Sequence, residues 1–78
     1  MKNIKKKIQI IIKKITKKKI NLDENTVLTN DILDSFNMLS LIDALEKEFK
    51  VNFTEKDLHY TNFKNIKKIA LVIKRNVK

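Results

Sequence analysis

Asp31-Ile32-Leu33-Asp34-Ser35-Phe36 runs straight into Asn37-Met38-Leu39-Ser40-Leu41-Ile42-Asp43-Ala44-Leu45-Glu46-Lys47-Glu48-Phe49, and the reading of this stretch decides the fold. Its second part has the most regular helical period in the chain. Met38, Leu41, Ile42, Leu45 and Phe49 recur at spacings of three and four, which predicts a helix from about Ser35 to Phe49 with one apolar stripe. Asp34 stands where a carboxylate can accept hydrogen bonds from the free N–H groups of the first turn. Ser35 follows it and sets a hydroxyl at the helix mouth, where the free amides and the helix dipole favour a phosphate. A plain cap is the simpler reading of an Asp-Ser pair at a helix start. A second stripe, Ser35, Leu39, Asp43 and Glu46, lies away from the core stripe and forms a candidate docking strip for a partner.

Downstream, Lys50-Val51-Asn52-Phe53 leaves the helix, with Val51 and Phe53 predicted to close the core. Thr54 with Asp57 three residues on is a relative of the capping box and predicts the start of a short helix. His59-Tyr60-Thr61-Asn62-Phe63-Lys64 reads as a turn, and Asn65 as the cap of a last helix. The stripe of that helix is Ile66, Ile69, Ala70, Ile73 and Val77, and Lys74, Arg75 and Lys78 suit its C-terminal dipole. His59, Tyr60 and Phe63 could form a stacking platform for nucleic acid, but the simpler reading puts Phe63 in the core and His59 on the surface.

Upstream, residues 3–19 carry Ile4, Ile8, Ile11, Ile12 and Ile15 on one face among lysines, a further helix. Like charges along it repel, so it needs tertiary packing to be stable. Residues 20–33 hold no sustained period. Asn21, Asp23, Asn25, Thr29 and Asn30 mark turns, and Leu22, Val27, Leu28, Ile32 and Leu33 are scattered apolar anchors. The whole predicts an all-α fold: a small four-helix bundle of three long helices and one short one, with a long first loop and a single domain over residues 1–78.

Composition excludes several function classes. The 78 residues contain no glycine, proline or cysteine and one histidine. Glycine-rich phosphate loops, a Gly-x-Ser-x-Gly elbow, disulfides and thiolate metal sites are therefore absent, and a conventional metal site is not expected. A triad of Ser35, His59 and an aspartate would need a pocket and an oxyanion hole that so short a chain has little room for. No catalytic residue is assigned. The longest apolar run near the N-terminus, Ile10-Ile11-Ile12, is far too short for a signal or a membrane span, so the expectation is a cytoplasmic protein. The net charge of +9 is unevenly spread: residues 1–22 carry +9, residues 23–57 carry −6, and residues 58–78 carry +6. Ser35 lies in the acidic part. The abundance of Lys, Ile and Asn is that expected of an A/T-rich genome.

Leu33-Asp34-Ser35-Phe36 before this helix, followed by Leu41-Ile42-Asp43-Ala44-Leu45-Glu46-Lys47-Glu48-Phe49, resembles the motif of acyl carrier proteins, and the resemblance extends from about Leu28 to the C-terminus. Asp57-Leu58-His59-Tyr60-Thr61-Asn62-Phe63-Lys64-Asn65-Ile66 is similar to the connection between the last two helices of stand-alone bacterial carriers. The resemblance implies that Ser35 is the attachment point of 4'-phosphopantetheine, taken from coenzyme A by a phosphopantetheinyl transferase with Mg²⁺. It implies that Asp34 contacts the transferase or its metal, and that Phe36 is the apolar residue after the serine. The arm would carry an acyl or aminoacyl thioester between a loading ligase or transferase and acyl-using enzymes, docked through Leu39, Asp43 and Glu46. The chain itself would be a non-catalytic monomer without nucleic acid or stable membrane insertion. It departs from the family at Asp31, where glycine is frequent, at Asn37 and Ser40, where acids are common, at Asp43, often methionine, and in its basic ends. Those departures point to a dedicated partner rather than ordinary fatty-acid enzymes. The alternative is a small basic helical module that binds nucleic acid or anionic membrane through residues 1–19.

Overall fold

The stretch after Asp34 forms a helix, α2, Ser35–Phe49, and its cap is the one the sequence supplies: the Asp34 carboxylate accepts the Asn37 N–H at 2.7 Å. A computed structural model, which describes residues 3–17, 22–28 and 32–77, surrounds α2 with two further helices and one short turn. To keep one chain-order numbering, the first helix is α1, Ile4–Thr16, and the last is α3, Ile66–Asn76; a 3-10 turn, Tyr60–Phe63, precedes α3. Among the described residues there is no strand, and the architecture is the expected all-α bundle.

The isoleucine stripe of α1 faces inward. Ile4, Ile8 and Ile12 are buried, and Ile11 and Ile15 pack against the core at its edge. They meet Leu41, Leu45 and Phe49 of α2 and Ile66, Ile69, Ala70 and Ile73 of α3. Each buried isoleucine, leucine or phenylalanine side chain contributes about 1.5–3 kcal/mol by leaving water, which offsets the repulsion among the lysines of α1. The stripe is therefore not free to enter a membrane. Lys7 ties α1 to the last turn of α2: its ammonium is 3.6 Å from the Glu48 carboxylate and 5.9 Å from the centre of the Phe49 ring.

The first connection is stitched down by its backbone. The Leu28 N–H donates to the Lys64 carbonyl at 2.7 Å, and the Lys67 N–H donates to the Glu24 carbonyl at 3.0 Å. The Gln9 side-chain amide donates to the Leu22 carbonyl, and Lys5 pairs with Glu24 at 2.8 Å. That hydrogen bond from Lys5 holds the Glu24 carboxyl below the usual carboxylate range. Leu22, Leu28 and Leu33 are buried as anchors, whereas Val27 is exposed; Thr29, Asn30 and Asp31 lie outside the described residues.

Four expectations need correction. The first helix stops at Thr16, with Lys17 left-handed (φ 56°), and residues 18–19 of its predicted extent lie outside the described residues. Lys50 ends α2 in the same way (φ 54°). In a chain without glycine, lysine takes the position glycine usually fills, at a cost of about 1–2 kcal/mol each. The short helix does not start at Thr54. The reciprocal bonds form, Thr54 N–H to Asp57 at 2.9 Å and Asp57 N–H to Thr54 Oγ1 at 3.2 Å, but they close only one turn. Extended His59 (ψ 137°) interrupts it, and its ring caps the 3-10 turn Tyr60–Phe63, where a plain turn was expected. Finally, Val72, absent from the predicted stripe, is buried, because α3 packs on α1 and also on the 3-10 turn.

Candidate functional site

Asp34 occupies its carboxylate with the Asn37 N–H and so leaves the next side chain unused. Ser35, the first residue of α2, is exposed, and its hydroxyl has no hydrogen-bond partner among the described residues. It sits on the rim of a cavity of about 740 Å³. Leu33, Met38, Leu39 and Ile42 form the α2 side, Val27 and Leu28 come from the first connection, and Leu58, Tyr60, Thr61, Phe63 and Lys64 from the second. The walls are mostly aliphatic and aromatic carbon; Asp34, Thr61 and Lys64 supply the polar side chains beside Ser35. Phe63 is buried and meets Phe53 edge-on, with ring centres 5.7 Å apart.

Met38 and Ile42, read from the sequence as core, are only partly buried and line this cavity. The helix turns their flank toward the second connection, which stands off instead of packing down. That connection is held by Asp57. Its carboxylate also accepts the Asn76 side-chain amide at 3.2 Å and lies 3.9 Å from Arg75. The bond from the Thr54 backbone, helped by those neighbours, keeps the Asp57 carboxyl below its ordinary range. His59 is exposed, stacks on Tyr60 at 4.7 Å between ring centres, and hydrogen-bonds Thr61 through Nδ1. Of the pair, only Tyr60 lines the cavity. With Phe63 turned inward, no three-ring platform exists.

The sequence-predicted docking strip divides. Phe36 and Leu39 are 72% and 70% exposed, a pronounced apolar display beside Ser35. Asp43 is exposed but paired with Lys47 at 3.1 Å. Glu46 is part-buried: its carboxylate accepts the Phe53 N–H at 3.0 Å and fixes the exit from α2. Glu48 is paired with Lys7. The acids along α2 thus have partners within the chain, and the free groups around Ser35 are apolar. Reading the sequence missed the cavity walls from Val27, Leu58, Tyr60, Thr61 and Lys64. The available signal was a set of apolar residues in connections that no helical stripe claimed.

The one histidine, His59, is engaged with Thr61, and its ring caps the 3-10 turn. No group of three or more His, Cys, Asp or Glu able to hold a metal ion occurs among the described residues. No described helix is long and apolar enough to cross a membrane. The arrangement instead offers an accessible hydroxyl for modification beside a space for an apolar group. No family model and no solved structure matches the chain. A curated relative does: the "Acyl carrier protein homolog" of Mycoplasma genitalium is 37% identical over 73 residues, covering 86% of this chain and 84% of the relative.

Proposed function

The chain belongs to the acyl carrier protein family, and on that premise we propose that Ser35 bears a 4'-phosphopantetheine arm and that the adjoining cavity shelters the acyl group it carries. The observation that carries this reading is the exposed, unbonded Ser35 hydroxyl at the rim of an apolar cavity. The residues present suit such an arm. The attachment oxygen is at a helix mouth with free N–H groups nearby, and Lys64 adds a cation at the rim.

In the priming step, a partner transferase holds coenzyme A with Mg²⁺. Ser35 Oγ attacks the phosphorus that bears the pantetheine. A new O–P bond forms, the pyrophosphate P–O bond breaks, 3',5'-ADP leaves, and the serine proton passes to a base on the transferase. Asp34 fixes the first turn so that the hydroxyl points outward. Once attached, the arm supplies a terminal thiol for thioester chemistry that this cysteine-free chain lacks. Met38, Ile42, Leu28 and Phe63 exclude water from an aliphatic chain, at about 0.8 kcal/mol for each buried methylene. A charged aminoacyl group would lose its hydration there without a partner, so the lining favours an aliphatic acyl cargo. Partner enzymes dock on Phe36 and Leu39, with Asp34 and Asp43 at the margin.

The test is incubation with coenzyme A, Mg²⁺ and a broad phosphopantetheinyl transferase, followed by intact mass and peptide mapping. One phosphopantetheinyl group on Ser35, and none on a Ser35→Ala variant, is expected. Addition to Ser35→Ala, or none to the parent, overturns the assignment.

A further inference from the structure

The cavity beside Ser35 takes no residue from α1 or α3, and these two helices carry a surface of a different kind. On α1, Lys6, Ile10, Lys13 and Lys17 follow one another at spacings of four, three and four, on the side opposite the buried Ile4, Ile8 and Ile12. All four are exposed, Ile10 at 44%. Two of the lysines that flank this stripe, Lys5 and Lys7, are neutralised by Glu24 and Glu48; Lys6, Lys13, Lys17 and the flanking Lys14 have no ion pair among the described residues. The groove between α1 and α3 brings Lys6 together with Lys74. Leu71, the exposed aliphatic residue of α3, lies apart from this groove, beside Asn62, Lys68 and Arg75. The face is therefore unpaired ammonium groups around one exposed aliphatic side chain, Ile10.

We propose that this face is a peripheral docking surface for bilayers of anionic phospholipid. Lysines on flexible stems can reach phosphate groups while Ile10 enters the boundary between headgroups and acyl chains. Each lysine close to such a surface is worth about a fivefold gain in partitioning. The chemistry fits nucleic acid less well. No described aromatic residue lies on this face to stack a base. The single arginine, the residue best shaped for bidentate phosphate contacts, is 3.9 Å from Asp57. Binding is superficial, because the apolar stripe of α1 remains in the core, and it leaves Ser35 and its cavity outside the contact.

The experiment is co-sedimentation of the full chain with vesicles of phosphatidylcholine alone and of an equal mixture with phosphatidylglycerol, across a salt series. Binding to the mixed vesicles only, released by salt, is expected. Lys6→Gln and Lys13→Gln each lower the partition coefficient about fivefold, and Ile10→Ser lowers it at every salt concentration at which the parent binds. Ser35→Ala binds like the parent, so failure of the carrier reading and failure of this one are separable. Circular dichroism verifies that each variant is folded. Equal binding to both vesicles overturns the proposal, as do lysine variants that bind unchanged. Tighter binding of a fluorescent single-stranded polynucleotide than of mixed vesicles at the same salt overturns it in favour of nucleic acid.

Discussion

Asp57→Ala removes the clasp that holds the outer wall of the cavity to the end of α3. The carboxylate accepts the Thr54 N–H at 2.9 Å, a capping bond worth about 1 kcal/mol. It also accepts the Asn76 amide at 3.2 Å. That amide keeps a second acceptor, the Val72 carbonyl at 2.9 Å, so this loss is about 0.5–1.5 kcal/mol. Arg75 is well exposed and 3.9 Å away, and adds at most about 0.5 kcal/mol. The expected cost is about 2–3 kcal/mol, a fall in Tm of about 10–20 °C for a domain of this size. Protonation should shrink the difference. The carboxyl is held below its ordinary range in the folded chain, so its contribution is present above the unfolded value near 3.9 and is lost as pH falls through the folded one. Thermal melts followed by circular dichroism at pH 7 and at about pH 2 measure this. A gap of the same size at both pH values, or no gap at pH 7, refutes the clasp. Asp57→Asn keeps one acceptor oxygen and should fall between the two.

Ile12→Ala empties a fully buried position and should cost about 2–5 kcal/mol in urea unfolding, a large share of the stability of a small domain. Asp34→Ala should lose about 0.5–2 kcal/mol with the cap, whereas Ser35→Ala, whose hydroxyl bonds nothing described, should melt within a degree or two of the parent. Lys50→Gly relieves a left-handed residue at φ 54° and should raise stability by about 0.5–1 kcal/mol after the added chain entropy of glycine; an unchanged or lower Tm would count against strain at that position.

The helices were legible because their signals are local. The stripes of α1, α2 and α3 and the Asp34 and Asn65 caps depend on neighbours within one or two turns, and Asn65 accepts the Lys68 N–H at 2.8 Å as its position implies. The cavity was not legible in the same way. Met38 and Ile42 carry the same spacing signal as Leu41 and Leu45, and only the stand-off of the second connection, set by Asp57 and Asn76 across the fold, decides which pair faces open space. The partner of Glu46 was hidden for a related reason: its position on the helical wheel says solvent, and the Phe53 N–H that its carboxylate accepts is brought back by the chain only after Lys50. Local chemistry fixed Ser35 at a helix mouth, while tertiary hydrogen bonds decided what lies next to it.

The Leu28–Lys64 backbone bond joins the two walls of the cavity, one residue on from Val27 and one from Phe63. A guest that enters between those walls meets a latch of amide and carbonyl rather than a soft side-chain contact. The exchange rate of the Leu28 amide with deuterated solvent is consequently a clock for the opening of the cavity, separate from the slower clock of the core amides in α2. Loading and unloading of the carrier would leave their mark on that one proton, without any label on the cargo.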